Sequence, residues 1–232
     1  MRATDVPAIR ALQLFCDMSE HRFDALIRGA YVQVFPPGVE LIREGDATDF
    51  LHILIDGSVE LFAEWNGRET VMSTVRPVST FILAATMRDA RYLMSARTLA
   101  KSRIVLVPST DVRHAFDADS VFARAVVAEL ATCYRSVIRY TKDLKLRSSV
   151  ERLANYILRL HSRSDGASVF ELPMEKRKLA SLLGMTPENL SRAIKTLQPY
   201  GVEIDGAQVT LVNLPDLVKF SKPNTLIDGP DT

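Results

Sequence analysis

The sequence predicts an α+β chain: an N-terminal β-roll, one long helix and a C-terminal winged helix-turn-helix. Three observations carry this reading. Residues 31–108 form short strand-like runs broken by turn residues, and residues 119–147 contain neither glycine nor proline. The stretch MEKRKLASLLGMTPENLSRAIKTLQPYGV has the punctuation of two short helices joined by a tight turn. The expected organisation is a roll with flanking helices over 1–118, the long helix and a hinge over 119–147, a winged-helix domain over 148–222 and a flexible tail over 223–232.

In the roll, VQVFPPGVELIREGD, FLHILIDGSVELFAEW, NGRETVMSTV and YLMSARTLAKSRIVLVP supply the strands. Pro36-Pro37-Gly38, Gly45-Asp46, Asp56-Gly57 and Asn66-Gly67 supply the breaks. Apolar and polar residues alternate through Val59, Glu60 and Leu61 and again through 103–107, the period of a strand with one buried face. Asn66-Gly67 is the clearest hairpin turn, because a type I′ turn needs positive φ at both central residues.

Along the long helix, Val127, Leu130, Tyr134, Val137, Thr141 and Leu144 recur at spacings of three and four. Such a stripe packs against one partner surface. A helix of this length extends about 40 Å, more than a roll of this size covers. The stripe therefore predicts a parallel seam with a second copy of the chain, a homodimer; the alternative is burial against its own domain.

The C-terminal domain opens with a helix, VERLANYILRLHSR, and a short strand, SVFELP. A bracing helix over about 175–183 then presents Leu179, Leu182 and Leu183. Gly184 permits a left-handed turn that only glycine adopts cheaply. Thr186 is placed to cap the next helix and is expected to be among the DNA-contacting residues, and Pro187 suits the first helical position, where a missing N–H costs nothing. Leu190, Ala193, Ile194 and Leu197 form the packed face, while Glu188, Ser191, Arg192 and Lys195 lie off it. This is a helix-turn-helix whose second helix offers its first turns to the major groove of double-stranded DNA. Arg192 can donate twice to guanine and Glu188 can accept from cytosine. Ser191 offers an adaptable hydroxyl, Lys195 suits a phosphate, and Lys176, Arg177 and Lys178 form a cationic cluster for the DNA backbone. GVEIDGAQVTLV completes the motif as a hairpin wing turning at Asp205-Gly206.

The 232 residues carry a net charge of +1, so DNA contact must come from such a local patch. Two cysteines, Cys16 and Cys133, are too few and too far apart for a zinc ribbon or a disulfide scaffold, and small buried apolar roles are expected for both. No apolar run reaches membrane-spanning length and the start lacks a signal-peptide core, so a cytoplasmic protein without a membrane partner is expected. No nucleophile elbow, phosphate loop, zinc spacing or paired carboxylates appear, which argues against an enzyme and against a bound metal.

The roll PPGVELIREGD…FLHILIDGSVEL, the long helix and LLGMTPENLSRAIKTL together resemble the CRP/FNR family of bacterial transcription factors over nearly the whole chain. The resemblance is closest in character to the FNR/DNR/NnrR-like branch without iron–sulfur cysteines. It implies a cyclic-nucleotide-binding-like jelly roll as the sensor, and a homodimer on a palindromic operator with TTGAT-like half-sites about 34 Å apart. RNA polymerase is the further partner it implies. Glu188, Ser191 and Arg192 fall on the E-x-x-S-R positions of the FNR-type recognition helix.

Two departures narrow the signal. Family members that bind cyclic AMP carry a G-E-L…R-S-A cassette, whereas FILAATMRDARYLMSA stands here. Leu83 and Ala84 replace Gly-Glu and Met94 replaces the arginine, leaving Ser95 and Ala96. No guanidinium fork then grips a phosphate, and cyclic AMP is not expected. Nor can two cysteines assemble an iron–sulfur site of the FNR kind within one subunit. What remains is an apolar pocket between roll and long helix, lined by Phe81, Leu83, Met94, Ser95, Tyr134, Val137 and Ile138. It could accept haem or an apolar small molecule, or be plain core. His21, His52, His114 and His161 are the available imidazoles for haem iron, and ordinary packing or surface roles are the plainer expectation.

Overall fold

The computed structural model of the chain describes residues 4–229. In chain order the elements are α1 (Asp5–Arg10), α2 (Glu20–Arg28), β1 (Tyr31–Phe35), β2 (Glu40–Ile42), β3 (Phe50–Asp56), β4 (Val59–Trp65), β5 (Arg68–Val75), β6 (Ser79–Phe81), α3 (Leu83–Arg88), β7 (Ser95–Thr98), β8 (Ser102–Pro108), α4 (Ser109–Ala118), α5 (Ser120–Leu146), α6 (Ser149–Arg163), β9 (Val169–Glu171), α7 (Lys176–Leu182), α8 (Pro187–Leu197), β10 (Val202–Asp205), β11 (Gln208–Leu211), α9 (Leu214–Ser221) and α10 (Thr225–Asp228). They form two compact units that divide between Thr132 and Cys133, inside α5. The boundaries expected from the sequence lay at the ends of this helix. Its first turns bury Phe122 and Val126 with the roll, whereas Leu144 packs against Gly184 of the second unit.

In the first unit, two four-stranded antiparallel sheets, ordered β1-β8-β3-β6 and β2-β7-β4-β5, enclose Ile42, Leu54, Val59, Leu61, Phe81, Tyr92, Ala96 and Ile104. The other face of the first sheet presents Leu51, Ile53, Val105 and Val107 to helices through Ile9, Phe23, Val112 and Phe122. Because that sheet is covered on both faces, Leu51 to Ile55 is buried without a break. The same covering interrupts the expected alternation in β8, where Ile104 and Val105 are both buried. Asn66 and Gly67 turn the β4–β5 hairpin with φ of 50° and 72°, as the type I′ reading requires.

The polar groups buried in this roll include a carboxylate, Glu60, and an imidazole, His52. Glu60 is held by Arg97, whose Nε donates at 2.8 Å and whose guanidinium also pairs with Glu69. His52 projects beside Phe81 with ring centroids 5.0 Å apart, and its Nδ1 has no hydrogen-bond partner. Burial outweighs a backbone hydrogen bond at Phe50 and pushes the His52 pKa down to about 4. The imidazole is therefore neutral at pH 7.

In the second unit, α6, α7, α8 and α9 pack with the sheet β10-β11-β9 around Leu153, Ile157, Leu179, Leu190, Leu197, Val202, Val209 and Leu217. Ser148 and Glu151 close a reciprocal capping box at the start of α6, satisfying two backbone donors that a helix end leaves orphaned. Residues 223–229 correct the flexible tail expected there. Asn224 caps α10, its Oδ1 accepting the Leu226 N–H at 2.8 Å, and Asp228 pairs with Arg147 and Arg159. The remainder of that tail, 230–232, lies outside the described residues. Cys16 and Cys133 are exposed, contrary to the expected burial. Cys133 lies in a stretch of α5, 131–138, in which every residue is exposed.

Candidate nucleic-acid interface

The turn between α7 and α8 is made by a glycine. After α7, Gly184 adopts φ of +61°, and its N–H donates to Ser181 O at 2.9 Å, so the chain reverses within three residues. Met185 follows, with its N–H bonded back to Ala180 O at 3.0 Å. Thr186 then caps α8: its Oγ1 accepts the Asn189 N–H at 3.2 Å, with Pro187 at the first helical position. Leu190, Ala193 and Leu197 are buried in the core of the unit, and Ile194 is half-buried against it.

That burial fixes which face of α8 meets solvent. Thr186, Glu188, Ser191, Arg192 and Lys195 are all exposed. The Glu188 carboxyl is held below the usual carboxylate range, first by its own backbone N–H and then by the Thr186 hydroxyl, with Arg192 adding a smaller attraction. Ser191 Oγ donates to Pro187 O at 3.0 Å, which leaves its lone pairs outward. On α7, Lys176 and Arg177 are exposed and Lys178 is half-buried. Three cations in the first turn oppose the partial positive charge of that helix end. The wing follows: β10 and β11 pair antiparallel from Val202–Leu211 to Asp205–Gln208, with Gly206 at φ of +56° in the turn, and β9 closes the sheet on β11.

The residues expected to line an effector pocket divide between the two units. Phe81 belongs to the cluster between the two sheets, while Leu83 belongs to the cluster between sheet and helices. Met94 is half-buried against the inter-sheet cluster, and Ser95 is buried with its hydroxyl accepting the Glu44 N–H at 2.9 Å. Tyr134, Val137 and Ile138 are exposed on the part of α5 that belongs to the second unit. The stretch that would hold a phosphate cassette is α3, which buries Leu83 and Thr86.

The expected seam is also resolved residue by residue. Val127, Tyr134, Val137 and Leu144 are exposed, Tyr134 at 67% and Val137 at 59%, and Thr141 is half-buried. Leu130 instead packs half-buried against the core of its own unit, because it follows Val126 by one turn on the face already turned inward.

Sequence reasoning passed over Arg152 and Asp228. Arg152 is a buried charge on α6 whose guanidinium spans backbone carbonyls of α5 and of the turn after α7. Its helical position, on the face shared with Asn155 and Arg159, gives no signal of burial. Asp228 lies 81 residues from Arg147, and no local pattern links the two. Among the described residues no group of three His, Cys, Asp or Glu side chains forms a metal site, and no helix is long and apolar enough to cross a membrane.

Residues 32–119 match the cyclic nucleotide-binding domain family, and residues 151–220 match the Crp-like helix-turn-helix domain family. The chain is 23% identical over 168 residues to the nitrogen fixation regulation protein FixK of Rhizobium meliloti (strain 1021), covering 72% of this chain and 75% of that protein. FixK2 from Bradyrhizobium japonicum shares the fold with a TM-score of 0.69 and 23% identity, over 82% of this chain and 96% of that one. DNR from Pseudomonas aeruginosa shares it with a TM-score of 0.52 and 21% identity, over 95% and 99%. A cyclic nucleotide-binding-type roll, a long helix and a Crp-like helix-turn-helix follow one another in a single chain, which therefore belongs to the CRP/FNR family of DNA-binding transcription regulators.

Proposed function

We propose that the protein is a homodimeric regulator that reads a palindromic operator with TTGAT-like half-sites through Glu188, Ser191 and Arg192. The observation that carries this reading is the two-sidedness of α8. Its apolar side chains are buried in the unit, and its polar ones stand in solvent at the helix's N-terminal half. Arg192 supplies the guanidinium fork suited to guanine O6 and N7, Glu188 the acceptor for cytosine N4, and Ser191 a hydroxyl. Lys195, Lys176, Arg177 and Lys178 contact phosphates, and the capped end of α8 at Thr186 favours an anion nearby.

Dimerisation is supported by α5, which exposes Val127, Tyr134, Val137, Ile138 and Leu144 along one side. An apolar stripe of that length is costly to leave in water and fits a copy of itself across a two-fold axis. RNA polymerase is the further partner that this reading implies.

For the effector, the roll supports a small molecule other than cyclic AMP. Neither the glutamate nor the arginine that would hold a cyclic phosphate is present, and α3 fills that stretch with buried Leu83 and Thr86. An iron–sulfur cluster lacks ligands within one subunit, since the sequence holds two cysteines. Haem fits the residues present poorly. His52 is the imidazole inside the roll, and Phe81 packs against it. His21 and His114 are exposed, and His161 Nδ1 lies 3.0 Å from Ala167 O.

Electrophoretic mobility shift with a TTGAT-type palindrome tests the reading. The wild type is expected to shift it at low salt, and absence of any shift, with and without candidate effectors, sinks it. Val137→Glu places like charges across the proposed seam; an unchanged dimer mass in sedimentation would show that the stripe packs elsewhere. Absorption spectra and mass spectrometry of the purified protein test for a retained effector.

A further inference from the structure

Arg152 shares a face of α6 with Asn155, Tyr156 and Arg159 rather than with the apolar stripe, yet it is only 9% exposed. Its hydrogen bonds end on backbone carbonyls of two separate segments. Nε donates to Leu183 O at 2.9 Å and Nη2 to Gly184 O at 3.3 Å, both in the turn of the helix-turn-helix. Nη1 donates to Arg147 O at 2.8 Å and to Leu144 O at 3.5 Å, at the end of α5. Both sets of carbonyls terminate helices, where partial negative charge accumulates and a cation is stabilised. A single planar guanidinium thus joins the end of the long helix to the turn that launches α8.

Two independent contacts hold the same junction. A Cβ on Gly184 would stand 2.7 Å from Leu144 Cδ1, so the turn and the last turns of α5 touch closely. Arg147, whose carbonyl Arg152 takes, is itself clamped by Asp143 at 2.9 Å and by Asp228 at 2.5 Å. Asp228 also accepts from Arg159 at 3.0 Å. The end of α5 is therefore gripped both by the turn and by the C-terminal helix α10.

We propose that Arg152 is a positioning residue that sets the angle between α5 and α8. In the dimer it thereby sets the half-site separation that the two α8 helices fit. This rests on the dimeric reading above. Lysine can neutralise the junction but has no fork to span both pairs of carbonyls, and glutamine has neither charge nor reach.

The test uses the full chain with Arg152→Lys and Arg152→Gln. Each is measured by thermal melting, by sedimentation, and by mobility shift on palindromes of the preferred spacing and of spacings one base pair shorter and longer. Arg152→Gln is expected to keep the dimer mass and to bind the preferred spacing at least about tenfold more weakly. Its preference among the three spacings should flatten, with Arg152→Lys intermediate. Losses by the same factor at all spacings would mark a purely structural role and overturn the proposal, as would unchanged binding. Should the wild type prove monomeric or bind no palindrome, the dimeric reading falls, and amide exchange judges the junction. Faster exchange at 183–187 and 143–147 in Arg152→Gln upholds the coupling, and unchanged exchange there overturns it.

Discussion

In the first unit His52 and Glu60 are buried, whereas the polar side chains of α8 in the second are displayed. In the roll, His52 and Glu60 are enclosed by strands from distant parts of the sequence. In the winged-helix unit, Glu188, Ser191, Arg192 and Lys195 project from one eleven-residue helix whose other side is core. An exposed reading face tolerates change without loss of fold, whereas a buried polar group couples its chemistry to stability. The DNA-reading chemistry should thus be separable from folding by mutation, and the interior of the roll should not.

The largest expected effect breaks the second unit while sparing the first. Leu190 is 1% exposed within the cluster of Leu153, Leu179 and Leu197. Leu190→Ala should cost about 2–5 kcal/mol in that unit, from lost burial plus the cavity left behind. Amide exchange by mass spectrometry should show faster exchange through α8 and unchanged protection in β3. Equal loosening of β3 would mean that the two units unfold as one.

His52 probes the opposite side of the comparison. Its folded pKa of about 4 lies below the unfolded value of 6.5. Between those values the unfolded chain binds more protons, so stability falls as pH falls from about 6.5 towards 4. The loss attributable to this group approaches about 3 kcal/mol. His52→Leu should flatten that part of the curve in denaturant titrations at pH 4.5 and pH 7. Curves that stay parallel would mean that protonated His52 is accommodated in the folded roll.

The same contrast explains what the sequence makes legible. Gly184, Thr186, Pro187 and the spacing of Leu190, Ala193 and Leu197 act within a few residues of one another, so the helix-turn-helix can be read directly. Asn66-Gly67 is legible for the same reason. Phe81 and Leu83 are two residues apart and seemed to share a pocket, yet they enter different cores because a sheet covered on both faces separates them. Leu130 fits the stripe by spacing but turns inward because the roll covers the first turns of α5. Arg152 and Asp228 depend on carbonyls and guanidinium groups brought together by tertiary packing. Periodicity reports which face is apolar; it does not report what covers that face.

On the reading face itself, Arg192→Ala should weaken binding to the preferred palindrome by about 1–3 kcal/mol and relax the choice of guanine at one position per half-site. Thermal stability should hardly change, because the side chain is exposed. Mobility shifts against singly substituted half-sites check this. Equal weakening on every sequence would reassign Arg192 to a phosphate.

The smallest effect lies where the two behaviours meet. Thr186 is exposed, like the reading residues, yet its Oγ1 accepts the Asn189 N–H at 3.2 Å and so also stabilises α8. Thr186→Ala should cost about 1 kcal/mol of stability through the lost cap, and Thr186→Ser should restore most of it. If the hydroxyl serves only as a cap, DNA affinity follows stability through the series, and the serine variant binds like wild type. If the Thr186 methyl or hydroxyl also meets the duplex, the serine variant recovers stability without recovering affinity. Melting curves and mobility shifts on the same three proteins separate the outcomes, and the second would place Thr186 itself on the reading face, one residue before the helix begins.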